Sequence, residues 1–207
     1  RRSVDHVLCL SPFEPELLRE HGIAATYVGH PLAQAIPMQP DRLAARERLG
    51  LPADARVVAL LPGSRASEID YLAERFVRTA LLLAQRHQDL QFVLPAVPTL
   101  KPRLDALVQR LQATTQLRVL SGQSHEALAA CDVTLVASGT ATLEAALFKR
   151  PMVIAYNMHW LSWQLMRRKR LQPWVGLPNI LLQDQAVPEL LQEQATPEAM
   201  ALALEHW

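Results

Sequence analysis

The segment 138–144, SGTATLE, combines residue types that suit a phosphate ligand with a spacing that presents them together. It follows a predicted buried strand and opens a predicted helix, so the free N–H groups and partial positive charge of the helix start suit a diphosphate. Gly139 permits close approach of the backbone to a ligand. Glu144 lies four residues after Thr140, on the same helix face, where it can accept hydrogen bonds from two ribose hydroxyls. A Ser138 or Thr140 N-cap with a helix-start glutamate explains the pattern without a ligand, and both interpretations stand here.

A second loop, 60–65, ends another predicted strand and leads into a long helix. Gly63 permits a tight turn, Ser64 offers a hydroxyl donor, and the Arg65 guanidinium can bind a phosphate with two hydrogen bonds. An ordinary turn with a surface arginine is the competing interpretation. Glu68, three residues after Arg65, is predicted either to pair with that arginine or to cap the helix start.

Two softer candidates follow other predicted elements. Asn179 is a polar residue among apolar ones, and a buried asparagine must find partners, so it is either a structural clamp or a ligand contact. Gln123 belongs to the loop 121–126, which could supply backbone groups to the edge of a base. A plain turn with Ser124 as N-cap is the favoured interpretation of that loop.

Other kinds of site are disfavoured by motifs that the sequence lacks. It contains neither a P-loop nor the G-x-G-x-x-G fingerprint of dinucleotide folds, and we expect no cofactor. No histidine pair has metal-ligand spacing, and Cys9 and Cys131 are too few for a zinc site, so we expect no metal. Both cysteines are predicted to be small core residues in a reducing compartment. His30, beside Pro31, is a weaker candidate for a substrate contact.

The elements that would position these loops alternate between short apolar strands and amphipathic helices, which is typical of an α/β fold with a parallel sheet. We predict a Rossmann-like sheet with helices on both faces, whose ligands bind beyond the carboxyl ends of the strands. Strands are predicted at 6–10, 26–28, 57–61, 90–94, 117–120, 133–136 and 151–156. Helices are predicted at 12–21 with Ser11 as N-cap, and at 41–49, 69–86, 100–111, 125–130, 141–148 and 161–171. A domain boundary is placed in the stretch that holds Pro31, Pro37 and Pro40, which separates residues 1–36 from 37–207.

The composition of the chain limits the kinds of partner that it is expected to bind. The formal net charge is +1, which argues against a general nucleic-acid binder. No signal peptide is visible, and no apolar run approaches the ~20 residues that span a bilayer. Because the chain opens without a methionine and ends within a helical pattern, we expect it to be a piece of a longer protein.

The segment 159–171 joins aromatic residues to a basic cluster. Trp160 and Trp163 share a predicted helix face with Arg167 and Arg170, and this combination suits the interface of an anionic membrane. The competing interpretation, which the residues alone favour, is a helix packed on the domain with buried tryptophans and a basic end that complements the helix dipole.

Taken together, these loops resemble the lipid-A-disaccharide synthase family. The motifs that carry the resemblance are LSPFE at 10–14, YVGHPL at 27–32, LPGSR at 61–65 with Glu68, ASGTATLE at 137–144, PMV at 151–153 and VGLPNIL at 175–181. Each motif is modest alone, but their order and spacing are specific and cover nearly the whole chain.

The resemblance implies an inverting glycosyltransferase of the GT-B fold, in which two Rossmann-like domains face each other across a cleft. Such an enzyme moves 2,3-diacylglucosamine from UDP to 2,3-diacylglucosamine 1-phosphate, a lipid acceptor, and forms the β-1,6-linked precursor of lipid A. It works without an obligatory metal, as a peripheral protein on the cytoplasmic face of the inner membrane of a Gram-negative bacterium. Residues 1–36 would end the N-terminal, acceptor-side domain, and 37–207 would be a truncated C-terminal domain that binds the UDP-sugar.

The resemblance also assigns residue roles. It fits Ser64, Arg65, Gly139 and Thr140 on the diphosphate, Glu144 on the ribose and Asn179 near the donor. The full set of predicted nucleotide-sugar-binding residues is Ser64, Arg65, Gln123, Ser138, Gly139, Thr140, Glu144 and Asn179. The catalytic base is expected upstream of Arg1, so we expect the chain to bind UDP without turnover. A C-terminal segment beyond Trp207 is expected to exchange between the subunits of a full-length homodimer.

Two alternatives remain at this point. One is another UDP-sugar-using GT-B enzyme, similar to a UDP-N-acetylglucosamine 2-epimerase or transferase. The other is a non-catalytic nucleotide-binding module.

Overall fold

The computed structural model describes residues 4–169 and 172–207, and the chain divides into two compact units, residues 1–38 and 39–207. The assignment of 1–36 to an acceptor-side domain and of 37–207 to a donor-side domain stays a prediction. Arg170 and Leu171, which belong to the predicted membrane-facing segment, lie outside the described residues.

The smaller unit holds a two-stranded parallel sheet. Strand β1 (His6–Cys9) pairs with β2 (Ala24–Tyr27), helix α1 (Glu14–Glu20) connects them, and helix α2 (Leu32–Ala35) follows. The predicted start of α1 is wrong, because the helix begins at Glu14 and Ser11 donates its N–H to the Glu14 carboxylate at 2.8 Å instead of capping the helix. A proline in the first turn of α1 is compatible with this later start, since no partner is needed there for the missing N–H.

The larger unit is built on a six-stranded parallel sheet in the order β5-β4-β3-β6-β7-β8. Its strands are β3 (Arg56–Leu61), β4 (Leu90–Ala96), β5 (Leu117–Ser121), β6 (Val133–Ala137), β7 (Met152–Tyr156) and β8 (Glu189–Leu191). The chain runs outward from β3 to β5 and then returns to the other side of β3. This is the strand order of a Rossmann fold, and the reversal between β3 and β6 leaves a crevice at their carboxyl ends. The predicted α/β class with a parallel sheet is confirmed.

Helices flank this sheet. They are α3 (Arg42–Arg48), α4 (Ala66–Arg86), α5 (Lys101–Arg110), α6 (Ser124–Ala130), α7 (Thr140–Leu147), α8 (Trp160–Lys169), α9 (Leu177–Leu182) and α10 (Pro197–Glu205), with a 3₁₀ turn at Gln192–Gln194. Helix α4 packs against α5 and α10, whereas α6 packs against α3 and α7, and α7 packs against α9. The helices that follow β3, β4, β5 and β6 are therefore each held by a neighbouring helix.

Apolar runs explain why the strands are central. Every residue of β3 after Arg56 is buried, and α4 places Leu72 and Phe76 on the sheet, where both are completely buried together with Leu94 of β4. Full burial of one such side chain contributes about 1.5–3 kcal/mol. This core fixes the strand ends that carry the candidate site.

The two cysteines are free and buried, which confirms the prediction that they are core residues. Burial raises the pKa of the Cys131 thiol to about 12, so the group stays protonated and unreactive near neutral pH.

All five strands predicted for the larger unit are present, but the end of the chain differs from the prediction. Strand β8 was not predicted, because it has three half-buried residues at the sheet edge. Helix α9 was not predicted either, since Gly176 and Pro178 at its start are typical of a loop.

No helix in the part of the chain that the structure describes is long and apolar enough to cross a membrane.

Candidate functional site

A cavity of about 520 Å³ lies at the carboxyl ends of β5, β4, β3 and β6, at the crevice where the strand order reverses. This volume is within the range of small-molecule binding sites. Six of the predicted site residues line the cavity, namely Ser64, Arg65, Ser138, Gly139, Thr140 and Glu144. Gln123 and Asn179 lie outside its lining.

The helix start after β3 is closed by Glu68. One carboxylate oxygen, Oε2, accepts the N–H groups of Ser64 at 2.8 Å and of Arg65 at 3.2 Å. Gly63, with φ of 120°, makes room for this bend, because a Cβ at that position would collide with Glu68. Glu68 Oε1 lies 3.4 Å from the Arg65 guanidinium, whose side chain remains 81% exposed. Both sequence interpretations of Glu68, the ion pair and the helix cap, are therefore confirmed.

The helix start after β6 is open. Gly139 is the N-cap of α7 with φ of 139°, and no side chain that the structure describes caps the helix. Within the described ranges, no acceptor meets the N–H groups of Gly139, Thr140 and Ala141. These groups carry the partial positive charge of the helix start. The ligand-free interpretation, with Ser138 or Thr140 as N-cap, is wrong for this helix, and its first turn can accept an anion.

Glu144 lies further along α7 and contributes a carboxylate to the same cavity. Its Oε2 lies 3.5 Å from His125 Nε2 of α6, and the His125 ring packs edge-on against Phe148 with ring centroids 5.3 Å apart. The Glu144 side chain is 20% exposed. The neighbouring helix thus orients a partly buried carboxylate, which can still accept hydrogen bonds from ligand hydroxyls.

The opposite wall of the cavity comes from the loops after β4 and β5. Gly122 donates its N–H to the carbonyl of Ala96 at 2.6 Å, which ties the two loops together. Gln123 is the N-cap of α6 with φ of 61°, and its side chain is exposed and points to no described cap partner. Ser124 is therefore the first helical residue and not the predicted N-cap, and it is Gly122 and Ser124 that line the cavity. The 95–98 loop also lines it, and its two prolines gave no chemical signal in the sequence.

Asn179 is completely buried beside α7. Its Nδ2 donates to the carbonyl of Val187 and to Glu189, each at 2.9 Å, and its Oδ1 accepts the N–H of Val187 at 3.0 Å. Both amide hydrogens are used within the protein. The structure therefore supports the clamp interpretation of the two that the sequence left open.

Ser138 has a structural partner as well as a place in the cavity lining. Its hydroxyl donates to the carbonyl of Val175 at 2.7 Å, so it can offer a ligand only its oxygen lone pairs. The hydrogen-bond donors that this turn offers a ligand are therefore its backbone amides and the Thr140 hydroxyl, and not Ser138.

Tyr156, at the carboxyl end of β7, was missed by the sequence analysis, because an aromatic residue at a strand end is too common to be a signal. Burial raises the pKa of its phenol, the Glu68 carboxylate raises it further, and Arg65 opposes the shift. The phenol is thus neutral near pH 7 and lies within the electrostatic influence of the loop after β3.

Helix α8 exposes a row of large apolar side chains. Trp160, Leu161 and Leu165 are 60%, 62% and 59% exposed, whereas Trp163 is half-buried. The interpretation that buries both tryptophans is wrong for Trp160. Arg168 is also exposed, while the predicted contribution of Arg170 lies outside the described residues.

His30 belongs to the smaller unit, where its Nδ1 accepts the N–H of Leu32 at 3.2 Å. Among residues 4–169 and 172–207, no group of three or more His, Cys, Asp and Glu side chains is arranged to hold a metal ion.

Comparison with known proteins shows a match along the chain. Residues 1–206 match the family described as lipid-A-disaccharide synthetase. The chain is 63% identical over 207 residues to the lipid-A-disaccharide synthases of Albidiferax ferrireducens and Verminephrobacter eiseniae, and each alignment covers 100% of this chain and 53% of the relative. The chain thus spans about half the length of the curated relatives it matches.

Solved structures agree on the fold. UDP-GlcNAc 2-epimerase of Methanocaldococcus jannaschii, in complex with UDP-GlcNAc and UDP, is similar with a TM-score of 0.65 at 16% identity, covering 98% of this chain and 54% of that one. ADP-heptose LPS heptosyltransferase II of E. coli is similar with a TM-score of 0.58 at 14% identity, covering 87% of this chain and 52% of that one. At such low identity the likeness concerns the fold alone.

Proposed function

The chain belongs to the lipid-A-disaccharide synthase family, and from that premise we propose that its larger unit binds the UDP-sugar donor of a glycosyl transfer. The observation that carries the proposal is the open start of α7. Gly139, Thr140 and Ala141 present N–H groups that meet no acceptor among the described residues, beside a cavity at the switch point of the sheet. A diphosphate brings the negative charge and the acceptor oxygens that this helix start lacks.

Arg65 and Glu144 complete the proposed donor site. The Arg65 side chain is exposed and attached to the first turn of α4, so it can swing from Glu68 to a phosphate oxygen. Glu144 is oriented by His125 and would accept the ribose hydroxyls. The loops at 95–98 and 122–124 would then contact the base across the cavity.

For the full-length protein we propose the family's reaction, transfer of 2,3-diacylglucosamine from UDP to the sugar hydroxyl of 2,3-diacylglucosamine 1-phosphate with inversion. UDP leaves as the new bond forms, and negative charge grows on its terminal phosphate. The amides of α7 and the Arg65 guanidinium would stabilise that charge where it develops. We place the base that takes the acceptor's proton outside this chain, so the chain binds the donor without turning it over.

We also propose that the full-length protein is a homodimer and sits on the cytoplasmic face of the inner membrane, with α8 on the lipid surface. Trp160, Leu161 and Leu165 supply exposed apolar area, and the sequence from Arg167 to Arg170 is entirely basic. Sedimentation with anionic liposomes tests the membrane part. Serine at Arg167, Arg168, Lys169 and Arg170 should reduce binding, and unchanged binding would remove α8 from the proposal.

Calorimetric titration of the 207-residue chain with UDP tests the donor site. We expect saturable binding that weakens by about 1–3 kcal/mol in Glu144→Ala, because a charged hydrogen-bond acceptor is lost. Absence of UDP binding, or an affinity that Glu144→Ala leaves unchanged, would move the site elsewhere. Measurable disaccharide formation by this chain would contradict the proposal that the base lies outside it.

A further inference from the structure

Glu189, on the short edge strand β8, forms a hydrogen-bond hub outside the cavity. Its Oε2 accepts the N–H of Val175 at 2.9 Å, and its Oε1 accepts the N–H of Gly176 and Nδ2 of Asn179, each at 2.9 Å. A Cβ on Gly176 would meet the end of the Ile154 side chain, so this part of the backbone packs closely on β7. The carboxylate therefore fixes the backbone of Val175 and Gly176 against the sheet.

That fixed backbone in turn holds the turn between β6 and α7. The carbonyl of Val175 accepts the hydroxyl of Ser138 at 2.7 Å. The N–H of Leu177 donates to Thr142 Oγ1 at 3.2 Å, and the same hydroxyl donates to the carbonyl of Gly139 at 2.7 Å. Thr142 is completely buried, so this relay cannot exchange its partners for water.

The relay determines where the first amide of α7 points. The carbonyl of Gly139 accepts both the hydroxyl of Thr142 at 2.7 Å and its N–H at 3.1 Å. The C=O and N–H of one trans peptide point in opposite directions. Holding the Gly139 carbonyl against Thr142 therefore directs the Thr140 N–H the opposite way, out of the N-terminal end of α7, and Thr140 lines the cavity.

We propose that Glu189 is a positioning residue for the diphosphate, acting through residues 175–177 and Thr142 without touching the ligand. This inference rests on the proposed function of the α7 start. Three N–H groups, two from the backbone and one from the Asn179 side chain, donate to the Glu189 carboxylate. Residues 175–177 are in turn hydrogen-bonded to the turn between β6 and α7. There the Thr142 hydroxyl holds the carbonyl of the peptide that precedes α7. Preorganised amides of this kind bind an anion without having to reorient first.

The test compares the affinities of variants for UDP and for uridine, which lacks the diphosphate. Thr142→Val removes the relay hydroxyl in a side chain of the same shape, Thr142→Ser keeps it, and Glu189→Gln replaces one accepting oxygen of the hub with an amide. We expect Thr142→Val and Glu189→Gln to lose roughly tenfold in UDP affinity, the effect of a displaced charged hydrogen bond, while uridine affinity is unchanged. Thr142→Ser should bind UDP as the wild type does.

Glu205→Gln is the matched control, because Glu205 also accepts several hydrogen bonds, from Arg86 and His87, away from the cavity. It should change neither affinity, and thermal unfolding should show that every variant is folded at the titration temperature. Equal losses for UDP and uridine would reduce Glu189 to a structural role and overturn the inference, as would an unchanged UDP affinity. A wild-type chain that binds UDP no better than uridine would instead overturn the proposed function of α7, and this inference with it.

Discussion

Two helices begin at the same cavity, and their first turns are built in opposite ways. Both segments place a glutamate five residues after a glycine, Glu68 after Gly63 and Glu144 after Gly139. Helix α4 begins two residues before Glu68, so that this carboxylate folds back onto the loop amides. Helix α7 begins directly after Gly139, so Glu144 is its fifth residue, two positions further along than Glu68 in α4, and it does not cap the helix.

The same glycine–glutamate spacing therefore has two different outcomes. The position at which the helix begins, relative to the glycine, decides whether the glutamate caps the helix. At α4 the protein supplies its own anion to the amides of Ser64 and Arg65, so these two amides are not available to a ligand. At α7 the amides remain open, and the carboxylate is available for hydroxyl groups of a ligand. Of the two starts, α7 is therefore the one whose N-cap amide is available to a diphosphate, and α4 contributes Arg65.

The largest effect is expected from changing the open start itself. A Cβ at Gly139 would meet open space, but φ of 139° is a conformation that other residues rarely adopt. Gly139→Ala should lower the free energy of unfolding by about 1–3 kcal/mol through strain and should turn the α7 amides, with loss of most UDP binding. Denaturant unfolding and calorimetry measure the two effects.

Gly50→Ala serves as the control, because Gly50 also has positive φ, of 60°, and does not line the cavity. It should cost stability and leave UDP affinity intact. Equal UDP affinities for the two alanine variants would show that the α7 start has no particular role in UDP binding.

An intermediate effect is expected from the residue that α4 contributes. Arg65→Ala should weaken UDP binding by about 1–3 kcal/mol and leave uridine binding unchanged, because a charged hydrogen-bond donor to the phosphate is lost. Arg56→Ala removes an exposed arginine at the opposite end of β3 and should not alter either affinity. A loss of uridine affinity in Arg65→Ala would show that Arg65 contacts the nucleoside and not the diphosphate.

The smallest effect on binding is expected from opening the closed start. Glu68→Ala should lower the free energy of unfolding by about 1 kcal/mol, the value of a helix cap. UDP affinity should be unchanged or higher, since a negative charge leaves the cavity wall. A fall in UDP affinity as large as that of Arg65→Ala would show that Glu68 serves the ligand and not the helix.

The parts of this site that depend on residues close together in the chain could be predicted from the sequence. Apolar runs such as 57–61 and 133–136 predict buried parallel strands, and the loops that follow them must share one edge of the sheet. Both roles of Glu68 could be predicted, because they involve residues three and four positions away. That no described side chain caps α7 could not be predicted, because Ser138 and Thr140 are residue types that commonly cap helices.

The remaining parts depend on contacts between distant segments. Ser138 gives its hydroxyl to Val175, and Asn179 finds its partners at Val187 and Glu189. Local patterns cannot show such pairs, and β8 itself is too short to produce a strand pattern. The hub at Glu189 is thus visible only in three dimensions.

The central claim is that the diphosphate binds at the open start of α7 and not at the closed start of α4. Backbone amide NMR of the 23.1 kDa chain during titration with UDP, and separately with inorganic pyrophosphate, tests it residue by residue. We predict saturable shifts of the amides of Gly139, Thr140 and Ala141 with both ligands, and much smaller shifts for the amides that Glu68 already holds. Large shifts confined to Ser64 and Arg65, with the α7 amides unmoved, would contradict the account.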